Sequence, residues 1–67
     1  MMDLIVDYEQ IIARSERAGL PEKELLERAG IASTTSWRWR RGEVMPNYRS
    51  ILRLNRAVET YLLDDGA

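Results

Sequence analysis

Hydrophobic positions recur along the chain at helical spacing, interrupted by a few glycines and prolines. Leu4, Ile5, Tyr8, Ile11, Ile12 and Ala18 fall within one broad stripe when each residue turns the helix by about 100°. This predicts a first helix with Asp3 as its N-cap, ending near Ala18-Gly19. Pro21 pre-sets φ for a new helical turn, and Glu22 and Glu24 suit the positive end of a helix dipole, so a second, barely two-turn helix is predicted from about 21 to 29. Gly30 stands where that helix must stop, and Ile31 follows as a plug into the core. A third helix is predicted from near Ser33, capped by Ala32 or Ser33, through Arg41 to Gly42. Pro46-Asn47 opens the last one, with Asn47 as N-cap and Ile51, Leu54, Val58, Tyr61 and Leu62 as its core stripe. Leu52 and Leu63 share a direction that this stripe does not use, which marks them for a partner surface and, in a homodimer, for the dimer interface.

The third helix sorts its residues by face. Ser33, Thr34, Trp37, Arg38 and Arg41 lie within about 140° of one another, whereas Thr35, Ser36 and Trp39 occupy the other side. A helix with Ser, Thr, Trp and Arg on one face is suited to a polar target, with Trp39 turned into the core.

Charge sharpens this picture. The net charge is −1, but residues 1–27 carry −4, residues 28–56 carry +6 and residues 57–67 carry −3. Every cation of the central block is an arginine (Arg28, Arg38, Arg40, Arg41, Arg49, Arg53 and Arg56), the side chain whose fork matches phosphates and guanine edges. The structural alternative is a solvated arginine surface. With 67 residues, no Cys and no His, the chain reads as a single domain, 1–67. A chain this short buries only about 60% of its unfolded surface, so close helix packing or dimerisation must compensate. Lacking His and Cys, it offers no metal-ligand set and no thiol or imidazole chemistry, and the expectation is a non-enzyme without cofactor or small-molecule ligand. No apolar run approaches ~18 residues and no basic-then-apolar start is visible, so a cytoplasmic, nucleoid-associated protein without membrane contact is expected.

Two short helices joined by a Gly-containing turn, the second exposing Arg, Ser and Thr, form the arrangement that reads DNA. The chain also resembles the lambda-repressor-like helix-turn-helix family, which includes phage Cro and repressor DNA-binding domains. The resemblance spans roughly residues 10–58 and rests on an ordered set: Gly19-Leu20, Leu25-Leu26, Ala29-Gly30-Ile31, Ser33-Thr34-Thr35, Arg38-Trp39-Arg40-Arg41-Gly42, Pro46, and Ile51, Leu54 and Ala57-Val58. It implies a compact all-α domain of four or five helices with its helix-turn-helix at about 21–41. Two positions depart from the family pattern: Leu26 stands where a small residue is usual, and Ser36 where Val or Ile is usual. If the two face each other, the exchange roughly conserves volume.

The same resemblance implies that helix 33–41 enters the major groove and reads base edges with Ser33, Thr34, Trp37 and Arg38. Arg38 is the foremost reader, through guanine O6 and N7. Ser33 can instead cap its helix, and Trp37 can either pack on a thymine methyl or turn inward to fill the space left by Ser36, the second being favoured. Arg40, Arg41, Asn47, Arg49 and Arg53 are the expected backbone contacts, while a carboxylate at Glu22 would repel phosphate. The function expected is a sequence-specific transcriptional regulator, a homodimer on palindromic double-stranded DNA. The alternative is a protein-interaction module, such as an antirepressor, that uses the same fold without specific DNA binding.

Overall fold

The computed structural model describes residues 4–64. Among them are four helices and no strand: α1 (Leu4–Arg17), α2 (Glu22–Ala29), α3 (Ser33–Arg41) and α4 (Tyr48–Asp64). Asp3, the expected cap of the first helix, lies outside the described residues.

Local chemistry accounts for where the helices end. Behind α1, α2 and α3 stands a glycine at positive φ: Gly19 at 91°, Gly30 at 73° and Gly42 at 78°. At each end two backbone amides turn back onto carbonyls that have run out of helical partners. Gly30 donates to the Glu27 carbonyl at 3.1 Å and Ile31 to that of Leu26 at 2.9 Å, and Gly42 and Glu43 repeat the pattern on Trp39 and Arg38 at 3.1 and 3.0 Å. A Cβ at Gly30 or Gly42 would meet nothing within 4 Å, so it is the left-handed backbone rather than crowding that calls for glycine. The start of α4 is fixed by Asn47, whose side-chain oxygen accepts from the Ser50 amide at 2.7 Å, as expected of an N-cap. Pro21 and Ala32 precede α2 and α3 in extended conformation, and neither supplies a side-chain cap. Helix α2 therefore begins at Glu22, one residue later than expected. Ser33 is already inside α3, which removes its capping role and leaves its hydroxyl exposed.

The helices bury their apolar stripes against one another. Tyr8, Ile11 and Ile12 of α1, Leu20 of the first turn, Leu25 and Leu26 of α2, Trp39 of α3, and Ile51, Leu54, Ala57 and Val58 of α4 form one core, with Leu4, Ile5, Ile31, Tyr61 and Leu62 partly buried around it. Most of the helix-to-helix packing lies between α4 and the α1–α2 pair. Two or three turns of α3 stand out from that trio, seated by Trp39, whose ring meets Tyr8 edge-on at 5.2 Å between centroids. Ser36 and Trp39 are buried and Thr35 half-buried, while Ser33, Thr34, Arg38 and Arg41 are exposed, as the helical spacing predicts, and Trp37 is exposed with them.

Candidate nucleic-acid interface

The outer face of α3 carries Ser33 and Thr34 on its first turn, Trp37 and Arg38 on its second and Arg41 at its end. Trp37 is 54% exposed, so the inward packing favoured from sequence does not occur. The reason lies one residue back. Ser36 leaves room under α3, but the Tyr8 hydroxyl fills it, 2.6 Å from Ser36 Oγ. Trp37 is steadied from outside instead, by the Arg41 guanidinium 4.5 Å above its ring, one helical turn away. Leu26 and Ser36 both border the groove between α2 and α3, and Ser36 also meets the hydroxyl of Tyr8.

The arginines divide by their partners. Arg38, Arg49 and Arg53 are exposed and make no ion pair with any described acid. Arg41, besides lying over Trp37, has a loose acidic neighbour in Glu43, with Nε 3.6 Å from Oε2 and both side chains more than half exposed. Such a pair is worth little and yields readily to a better anion. Arg40 differs. Its Nη2 donates to Glu22 Oε2 at 2.6 Å, and its guanidinium lies 5.8 Å from the centre of the Tyr8 ring. Of the residues expected to contact a nucleic-acid backbone, Arg40 is therefore held inside the protein's own network, and Asn47 is occupied as the cap of α4.

That network was not foreseen. Tyr8 reads from sequence as one more residue of an apolar stripe and Glu22 as a helix-dipole carboxylate. In the structure one oxygen, Glu22 Oε2, accepts from the Tyr8 hydroxyl, from Ser36 Oγ at 3.3 Å and from Arg40. Burial by itself would raise the Glu22 carboxyl, but the hydrogen bonds from Tyr8 and Arg40, the Arg40 charge and the Ser36 hydroxyl together outweigh it and hold the group below the ordinary carboxylate range. Burial, followed by the bond to Glu22, pushes the Tyr8 phenol up, and the bond to Glu22 does the same for Arg40. Glu22 is thus an ion-paired acid at neutral pH, not the bare carboxylate expected.

On α4, Arg53 and Arg56 border a groove of about 420 Å³ against α2 together with Arg28. Arg28 is itself engaged, by Glu24 at 3.3 Å and over the ring of Tyr61 at 5.2 Å. Leu52 and Leu63 are 43% and 78% exposed, as expected of side chains left out of the core stripe. No group of three or more metal-ligating side chains occurs among the described residues, and no described helix is long and apolar enough to cross a membrane. Compared with protein-family profiles, with curated proteins and with solved structures, the chain finds no match in any of the three.

Proposed function

We propose that this chain is a sequence-specific DNA-binding regulator of the lambda-repressor-like helix-turn-helix type, in which α3 enters the major groove. The observation that carries the reading is the two-sidedness of α3. Its inner side is tied down by Trp39 and Ser36, while its outer side offers Ser33, Thr34, Trp37, Arg38 and Arg41 with no described acid paired to Arg38. Arg38 reads guanine, Ser33 and Thr34 donate to bases or phosphates, and Trp37 stacks against a thymine methyl. Arg41, Arg49 and Arg53 anchor the sugar-phosphate backbone, since exposed and loosely paired arginines exchange onto phosphate at small cost. Two subunits, joined through Leu52 and Leu63, set two such helices about 34–36 Å apart on a palindrome and occlude polymerase. The non-catalytic and nucleoid-associated character follows from this reading.

Selection of bound duplexes from a random pool tests it. Recovery of a palindrome with half-sites one helical turn apart is expected, together with a log–log salt slope near −0.9 for each phosphate contacted. A pool that never enriches, with no salt-sensitive binding, would turn the assignment toward a protein-interaction module. That second reading draws on the exposed Val44, Met45, Tyr48 and Leu52, apolar side chains that follow one another around the start of α4.

A further inference from the structure

We infer that Glu22 is the positioning residue of the α3 surface, and that by keeping Arg40 as its own partner it withholds that arginine from phosphate. The inference rests on the DNA-binding reading above and refines which cations serve it.

Three observations converge. Glu22 lies on α2, yet its Oε2 is bonded by Tyr8 from α1 and by Ser36 and Arg40 from α3, so a single atom ties three helices together. Helix α3 needs such a tie, because the bulk of the helix packing runs between α4 and the α1–α2 pair. Beside Trp39 and its edge-on contact with Tyr8, the polar bonds of Ser36 and Arg40 join α3 to its neighbours. Ser36 and Arg40 are one helical turn apart, so together they set both the rotation and the tilt of α3, and with them the direction in which Arg38 and Trp37 point.

The second half concerns charge. Arg40 stands beside the expected phosphate anchors in sequence, and the Arg41–Glu43 pair shows what a dispensable ion pair looks like on this surface: 3.6 Å, with both members well exposed. The Arg40–Glu22 pair is at 2.6 Å, with the Arg40 side chain 53% exposed and the Glu22 side chain 27% exposed. Moving Arg40 to a phosphate would strand a carboxylate that two hydroxyls keep in place, close to the incoming anion. A part-buried carboxylate already bonded by two hydroxyls makes a short charge-assisted bond with Arg40, so the pair stays together and presents a neutral unit to the duplex. The same neutrality allows an acid at the start of α2 to lie near DNA.

Binding of a labelled generic duplex across a series of salt concentrations separates the possibilities, using the full chain and the variants Arg40→Ala, Glu22→Gln and the double substitution. Glu22→Gln, which keeps the size and an acceptor oxygen, should steepen it by about 0.9 as the released arginine finds a phosphate, and adding Arg40→Ala should return it to the native value. Glu22→Gln should also lower the ratio of selected-site to generic affinity, which Arg40→Ala with its acid intact should lower less. A slope shallower than the native one by about 0.9 in the double substitution, where neither charge remains, would show that Arg40 contacts phosphate in the native protein and would overturn the inference while leaving the DNA-binding reading in place. An unchanged slope in Glu22→Gln would do the same. If the native chain bound no duplex at any salt, the DNA-binding reading would fail and the inference with it. Far-UV circular dichroism and thermal unfolding of each variant show that it is folded under the binding conditions.

Discussion

Removing a single oxygen, Tyr8→Phe, isolates the polar tie beneath α3 from the apolar packing around it. The Tyr8 ring is fully buried, and phenylalanine keeps both its volume and its edge-on contact with Trp39 at 5.2 Å. Lost are the hydrogen bond to Glu22 and the one shared with Ser36. A bond to an ionised carboxylate contributes about 1.5–3 kcal/mol and a neutral one about 1, while the phenol hydroxyl no longer has to be desolvated. Ser36 keeps Glu22 as an acceptor at 3.3 Å and is not orphaned, which trims the loss. A net destabilisation of about 1–3 kcal/mol follows, which for a domain of this size lowers Tm by roughly 5–20 °C. Urea unfolding of both proteins at neutral pH measures it directly, with the m-value unchanged because the surface exposed on unfolding is the same.

The pH dependence supplies the sharper check. The Glu22 carboxyl is held below its ordinary value in the folded protein, so its contribution is complete above the unfolded carboxylate pKa of about 4.3. That contribution is lost as the pH falls through the lower, folded value. The gap between Tyr8 and its Phe variant should therefore be widest at neutral pH and narrow in acid, where the acceptor loses its charge. Equal stability of the two proteins at neutral pH would refute the network as a source of stability, and a gap indifferent to pH would refute the role assigned to the Glu22 charge.

Other expectations follow from the same structure. Gly30→Ala should cost about 1–2 kcal/mol in thermal unfolding, from the strain of a Cβ at φ 73° with open space around it, and Gly30→Asn less; equal stability of the alanine variant would remove the left-handed cap from the account. Leu26→Ala should lose about 2–5 kcal/mol by opening a cavity at a side chain that is 5% exposed. Adding Ser36→Val should not recover that loss in urea titrations, because it also removes the hydroxyl that meets Tyr8 and Glu22. In duplex binding, Arg38→Ala should flatten discrimination among sequences by about 1–3 kcal/mol per guanine read, whereas Arg49→Ala should weaken all duplexes alike and make the salt slope shallower by about 0.9. The reverse pattern would exchange the reader and the anchor.

What could be read from the chain was whatever depends on near neighbours. The ends of α2 and α3, the N-cap at Asn47, the buried stripe of α4 and the division of α3 into an inner face at Ser36 and Trp39 and an outer face at Thr34 and Arg38 all follow from spacing, backbone preference and capping within a few residues. Those forces act within one helical turn, so a linear pattern carries them. The site was legible as a surface, but not in which of its charges are free.

The partners of the polar side chains were decided in three dimensions. Arg40 and Arg38 are the same residue type, two positions apart. One meets Glu22 across 18 residues of chain and the other meets no described acid. Tyr8 belongs to an apolar stripe by its ring, but its hydroxyl reaches a serine 28 residues away, and that encounter leaves Trp37 on the outside. Periodicity reports the direction of a side chain around its own helix axis. Only the packing of α1, α2 and α3 against each other determines which donor arrives within 3 Å of which acceptor, and hence which arginines remain available to a ligand.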